Sequence, residues 1–199
     1  MKKTLKESPK VLGLDVSTKT IGWALFDIQS KELLELTHVS PTPKPKEDNK
    51  IKELLLKSEI FRTKLLQYKD LGITKVIIET PLLNSNNIYT VQTLLRFNTL
   101  ITKEIYDVLD VVPEFISTYD SRKFAFPELV KQNDKGKFVL FGGLPKDIDK
   151  KQIIWELVAK KEPQITWQYT RNNTLKKENY DQTDAYCCVL GHMRQENIW

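Results

Sequence analysis

The run Val76-Ile77-Ile78, closed by Glu79, constrains this chain more than any other segment. Three consecutive β-branched residues favour an extended backbone, and an unbroken apolar run has no polar face to offer water. Such a strand is buried on both sides and fits a parallel pairing, which requires helices above and below the sheet. The flanking sequence supplies them. From Asn49 to about Tyr68, Ile51, Leu54, Leu55, Phe61 and Leu65 recur at helical spacing with Lys and Glu between them, and Gly72 ends the pattern. A second helix is predicted over Thr90–Leu109, after a polar loop at Asn84–Asn87, and a fifth strand over Phe115–Thr118.

The stretch before the first helix reads differently. Val11–Val16, Ile21–Ile28 and Leu33–Val39 are short apolar strands, the first two joined by the small polar turn Ser17-Thr18-Lys19-Thr20. Strand, tight turn, strand, strand predicts an antiparallel meander, and Pro41, Pro43 and Pro45 then open a connecting loop. Further helices are predicted at Asp149–Lys160 and Asp181–Arg194. Residues 126–148, with Pro127, Gly136, Gly142, Gly143 and Pro145 among lysines, read as a loop or hairpin insertion. Residues 1–9 read as a flexible basic arm and residues 10–199 as one domain. The fold class is α/β: a five-stranded mixed sheet, its first three strands antiparallel, with helices on both faces.

Charge bears on the partner. The 199 residues carry a formal net charge of +5 and a pI of about 9.0, a balance that favours a polyanion, because phosphates neutralised by Lys and Arg release counterions. Cys187 and Cys188 are the only cysteines. Adjacent cysteines do not suit disulfide geometry and no zinc-type Cys/His spacing is present, so two reduced helix residues are expected. No apolar run approaches the roughly 20 residues of a membrane span, and no apolar segment of the signal-peptide kind follows the basic N-terminus. The expectation is a soluble, cytoplasmic protein with no membrane partner.

Four carboxylates fall where this organisation puts chemistry. Asp15 ends the first strand, Glu79 ends the fourth, and Asp181 and Asp184 lie three apart at the start of the last helix, on one face. Each has an ordinary explanation: a turn residue for Asp15, a salt bridge for Glu79, favourable helix-terminus charges for the last pair. Taken together they form a set of hard oxygen donors on rigid elements. Two Mg²⁺ ions held by such a set would activate a water and stabilise the leaving oxygen in phosphodiester hydrolysis. Without a cation, clustered carboxylates raise one another's pKa values.

The segments Leu12-Gly13-Leu14-Asp15-Val16-Ser17-Thr18, Gly22-Trp23-Ala24, Val76-Ile77-Ile78-Glu79 and Asp181-Gln182-Thr183-Asp184-Ala185 resemble the RuvC family of Holliday-junction resolvases, within the RNase H-like superfamily. The first block, G-x-D-x-S-T-x-x-x-G-W-A, is the most specific, and the resemblance covers roughly residues 10–125 and 149–194. It implies an RNase H-like fold, Asp15, Glu79, Asp181 and Asp184 as catalytic metal ligands, and two Mg²⁺ ions replaceable by Mn²⁺. It also implies a homodimer that nicks two strands of a four-way junction. Two departures stand out: residues 126–148 are longer than the compact bacterial pattern, and Leu82–Tyr89 has no close match. A phage or mobile-element member would accommodate both.

For DNA contacts the candidates are Lys19, Arg96, Arg122, Lys123, Lys150 and Lys151 on phosphates, with Tyr89, in the polar loop, as a wedge against an unpaired base. Phe97 lies in the stripe Leu94-Leu95-Phe97-Leu100-Ile101 and reads as core; Trp155 and Trp167 read as packing. His192 falls two turns beyond Asp184 and is a neighbour of the carboxylates at best. The leading expectation is an Mg-dependent endonuclease acting on branched DNA. The alternatives are an RNase H-like nuclease on RNA–DNA hybrids and a junction-binding protein without cleavage.

Overall fold

A computed structural model describes residues 8–81, 87–145 and 147–199 of the chain. Residues 1–7 of the expected basic arm and 84–86 of the expected polar loop lie outside the described residues. Strands β1 (Lys10–Val16), β2 (Ile21–Asp27) and β3 (Leu33–Val39) form the meander. Helix α1 (Lys50–Leu65) follows, capped by Asn49, whose side chain accepts the N–H groups of Ile51 and Lys52, and one 3₁₀ turn carries it on to Tyr68. Then come β4 (Ile73–Glu79), α2 (Ile88–Leu109), β5 (Glu114–Ile116), α3 (Thr118–Ala125), the hairpin β6 (Val130–Gln132) and β7 (Phe138–Leu140), α4 (Lys150–Lys161) and α5 (Glu178–Gln195).

The main sheet has the order β3-β2-β1-β4-β5. β1 pairs antiparallel with β2 and parallel with β4, and β4 pairs parallel with β5. This is the expected five-stranded mixed sheet. The pleat sorts its side chains into two cores. Leu12, Leu14, Val76 and Ile78 meet Phe61, Leu65, Phe97 and Ile101 of α1 and α2 on one face. Val11, Ala24, Phe26 and Ile77 meet α3, α4 and α5 on the other, through Ala125, Ile154, Ala185 and Val189. Trp155 and Trp167 pack edge to face at 5.8 Å, and Cys187 and Cys188 are buried free thiols. No helix among the described residues is long and apolar enough to cross a membrane.

Three boundaries depart from the sequence pattern. β5 spans Glu114–Ile116 rather than Phe115–Thr118, because Ser117 caps α3, its hydroxyl accepting the Asp120 N–H at 3.0 Å. Helix α3 itself is short and buries only Ser121 and Ala125, so it leaves no apolar periodicity to read. α2 starts at Ile88 behind an Asn87 cap, so Tyr89 stands in the helix's first turn and not in a loop. α5 starts at Glu178, without a side-chain cap, and encloses Asp181 in its first turn.

Candidate active site

The parallel ladder pairs Leu14 with Ile78, so the next residues, Asp15 and Glu79, stand side by side at the carboxyl ends of β1 and β4. Strand alternation decides their direction. Leu14 and Ile78 face α1 and α2, so Asp15 and Glu79 face the side covered by α5.

Two glycines allow that helix to come close. A Cβ on Gly22, the cross-strand partner of Asp15, would lie 1.9 Å from the carbonyl oxygen of Asp181. A Cβ on Gly13 would lie 2.3 Å from the carbonyl oxygen of Ala185. Both distances are far inside van der Waals contact, so only glycine fits at either place. The glycines of the G-x-D and G-W segments are therefore the seat on which α5 brings Asp181 and Asp184 down to the strand ends.

Brought together in this way, the carboxylates perturb one another. Burial raises the Asp15 carboxyl well above its ordinary range, and Glu79, Asp184 and Asp181 push it further. Glu79 is raised to about 7, first by burial and then by the Asp184 charge, against the pull of Thr118, Arg122 and Lys151. Asp181 is raised to about 6, mainly by burial, with Lys151 opposing. Glu79 Oε1 accepts the Thr118 hydroxyl at 2.8 Å, while its buried Oε2 has no hydrogen-bond partner. An orphaned carboxylate oxygen among mutually raised acids suits a hard divalent cation. Yet as folded, no three acidic, imidazole or thiol side chains among the described residues converge tightly enough to share an ion.

No protein-family model and no curated protein sequence matches the chain. Solved structures do. The Thermus thermophilus RuvC structure superposes with a TM-score of 0.57 at 13% identity, covering 95% of this chain and 96% of that one. The T. thermophilus RuvC in complex with Holliday junction substrate gives 0.62 at 10% identity, with 95% of each chain covered. The fold is RuvC-like. At these identities the likeness lies in the architecture, and it is the architecture that the resemblance of the four short segments implied.

Within this RuvC-like fold, Asp184 is turned toward cations. It is 3% exposed. Its Oδ1 accepts from Arg122 Nη2 at 2.7 Å and Nε at 3.3 Å, and its Oδ2 lies 3.2 Å from Lys151 Nζ. Burial works against the charge on both bases, yet Asp184 holds their pKa values above the ordinary ones. Arg122 thus faces inward on α3, which Gly191 lets approach α5: a Cβ there would lie 2.4 Å from the Ser121 carbonyl oxygen. Nothing in the local sequence marks this role, because the partner lies 62 residues away.

The other candidate residues spread over several surfaces. The Ser17–Thr20 turn is held by the Ser17 hydroxyl, which donates to the Thr20 carbonyl at 2.8 Å, and by Lys57 Nζ on the Thr18 carbonyl at 2.8 Å. Lys19, on this turn, lines two clefts that bear on the candidate site. One, of about 610 Å³, joins Lys19 to Thr42, Lys151, Lys177, Tyr180 and Asp181. The other, of about 560 Å³, joins it to Lys50, Lys57, Tyr89 and Thr90. Lys177, Lys50 and Lys57 escaped the sequence reading, since lysines on or beside a helix carry no distinguishing pattern. Tyr89 is 75% exposed. Arg96 is exposed on α2, Lys123 lies over the Phe124 ring at 5.0 Å, and Lys150 over the Phe141 ring at 5.7 Å. Phe97 is fully buried, as its stripe predicted. His192 sits 3.0 Å from Glu114, engaged with β5 and not with the carboxylates, and His38 Nδ1 bonds Gln182 at 2.8 Å.

Proposed function

We propose that this chain is a metal-dependent, structure-selective endonuclease that resolves four-way junctions or related branched DNA. The observation that carries the reading is the convergence of Asp15 and Glu79, on adjacent strand ends, with Asp181 and Asp184 on the close-packed helix α5. These four residues would hold two Mg²⁺ or Mn²⁺ ions, which when bound supply an activated water and stabilise the leaving oxygen of the phosphodiester. The likeness in fold to a RuvC that has been solved with a Holliday junction supports branched DNA as the substrate class.

The chain's own residues have definable tasks. Thr118 orients Glu79 through Oε1 and leaves the buried Oε2 without a hydrogen-bond partner. Arg122 fixes one oxygen of Asp184. Lys151, about half exposed, neutralises the other until a cation competes for it. Lys19 and Lys151 line the cleft beside Asp181 and would receive the backbone of the strand to be cut. Tyr89, across the Ser17–Thr20 turn, would stack on an unpaired base. Arg96, Lys123 and Lys150 lie farther out as candidate contacts to duplex arms. A homodimer would place two such sites on a junction of near two-fold symmetry.

A second reading has an observation in its favour. Because Arg122 and Lys151 already pair with Asp184, and no three acidic, imidazole or thiol side chains among the described residues stand close enough to share an ion, the chain could bind junctions without cutting them. Labelled junction, flap, duplex and RNA–DNA hybrid substrates, incubated with Mg²⁺ or Mn²⁺, separate the readings. Paired nicks in junctions support the proposal, binding without nicks favours the second reading, and preferential cutting of hybrids overturns the DNA specificity. Light scattering of the free and junction-bound protein tests the dimer.

A further inference from the structure

The hairpin β6–β7 plays no part in the candidate active site, yet it is firmly built. Its ladder pairs Val130 with Leu140, Lys131 with Val139 and Gln132 with Phe138. The reversing loop is closed by Asn133, whose N–H donates to the Lys137 carbonyl at 2.9 Å and whose Oδ1 accepts the N–H groups of Lys135 and Lys137 at 3.0 Å. The base is anchored in the core: Leu129 and Phe141 are buried, and the Phe141 N–H donates to the Leu129 carbonyl at 2.8 Å. The base is thus rigid and the tip stands in solvent.

The two faces of the ribbon differ. Cross-strand partners share a face, and Leu140 packs against the core, so Gln132 and Phe138 continue that face outward. Phe138, past the rim, is 68% exposed. Lys131 lies on the opposite face, and so does Lys137, two residues before Val139, with Lys135 at the turn; all three are exposed. Asp134 is the single carboxylate between residues 130 and 140. A rigid two-stranded ribbon with basic residues and a bare aromatic ring matches the major groove of B-DNA, which at about 12 Å width admits such a ribbon. Its base also borders the site. Phe141 lies under Lys150, and the next residue, Lys151, pairs with Asp184.

We propose that the β6–β7 hairpin docks on a duplex arm of the DNA, outside the crossover, entering the groove edge-on, so that Lys131, Lys135 and Lys137 on one side reach the phosphates of one wall and Phe138 on the opposite face meets the other wall of the groove. The proposal deepens the nuclease reading and rests on it for the branched substrate, but its contact is with duplex DNA and can be measured without cleavage.

The test uses the full chain with Lys131→Ala/Lys137→Ala and, separately, Phe138→Ala. Binding is measured against salt on a linear duplex, a long-armed junction, and a junction whose arms are shorter than one helical turn. The double lysine variant is expected to flatten the log affinity versus log salt slope by roughly 1.8 on the two long substrates, about 0.9 per lost phosphate contact. It should leave the short-armed junction and the cut positions unchanged. Phe138→Ala is expected to weaken binding to the long substrates at every salt concentration with the slope intact. An unchanged slope on long arms overturns the proposal. So does a change of oligomeric state with the slope unchanged, which would make the hairpin a contact between copies. If the wild type neither prefers nor cuts junctions but the duplex slope still flattens, the hairpin assignment stands and the nuclease reading falls. Because the substituted side chains are exposed, unchanged melting serves as the control on folding.

Discussion

Arg122 directs two N–H donors at one oxygen of Asp184, Nη2 at 2.7 Å and Nε at 3.3 Å, and neither side chain is more than 11% exposed. The pair ties α3 to α5 at the centre of the candidate site. Removing one member of a buried pair strands the other charge, at a cost of about 3–5 kcal/mol. Arg122→Ala is therefore expected to lower the denaturation midpoint strongly, and Arg122→Ala/Asp184→Asn to recover part of the loss. Denaturant titration of the three variants measures this. The salt dependence of DNA binding should barely move, since the guanidinium faces inward; a slope flattened by a full contact would return Arg122 to the phosphates.

Neutralising the other carboxylates should have the opposite effect on stability. Glu79→Gln and Asp15→Asn are expected to reduce cleavage below detection while leaving the fold intact. Because each group is ionised at a cost in the cluster, the metal-free variants should melt higher than wild type at pH 8. For Glu79, raised from 4.5 to about 7, the gain is at most about 3 kcal/mol, at 1.36 kcal/mol per unit of pKa. Variants that melt lower and still cut would make these residues structural.

The same shifts predict a pH profile. A carboxyl whose folded pKa lies above its unfolded one binds more protons in the native state, so stability falls as pH rises between the two values. Asp181 contributes between 3.8 and about 6, and Glu79 between 4.5 and about 7. Metal-free protein should thus lose stability across that window. Mg²⁺ should restore it above pH 7, by about 2.7 kcal/mol at a hundredfold excess over its dissociation constant. Melting curves with chelator and with Mg²⁺ at pH 5 and pH 8 check the sign. Equal stability at both pH values without metal would contradict it.

Gly22 tests the seat of α5. Alanine there would put a methyl 1.9 Å from the Asp181 carbonyl oxygen and force the helix outward. Overpacking of this kind costs about 1–3 kcal/mol, and the shift moves Asp181 and Asp184 away from Asp15 together. Gly22→Ala should lose cleavage at temperatures where circular dichroism still shows a folded protein. Full activity in that variant would mean the close approach is dispensable.

Tyr89, with three quarters of its surface in water, should be replaceable without harm to the fold, within about 0.5 kcal/mol. Stacking on a base contributes about 1–3 kcal/mol, so Tyr89→Ala should weaken junction binding roughly fivefold or more and leave duplex binding unaltered. Equal weakening on both substrates would rule out a wedge at the crossover.

Short-range information determined much of this protein. The apolar run before Glu79, the meander ahead of it and the helical stripe through Phe97 each encode their own structure, because strand and helix periodicities are local properties of the chain. The sheet's mixed character and the positions of Asp15 and Glu79 at strand ends follow from those patterns. Tertiary structure decided the rest. Whether Arg122 faces a phosphate or Asp184 depends on a partner 62 residues away, and on α3, which is too short and polar to show a period. That Gly13 and Gly22 are the floor beneath α5, and not turn glycines, appears only when the helix backbone lies within contact of them. Tyr89 moved from loop to helix because Asn87 supplied a cap. The charge balance of the site belongs to the same class. Local sequence shows four acids at four places, but burial and the charges that packing brings close are what raise Asp15, Glu79 and Asp181, and these exist only once the chain has packed.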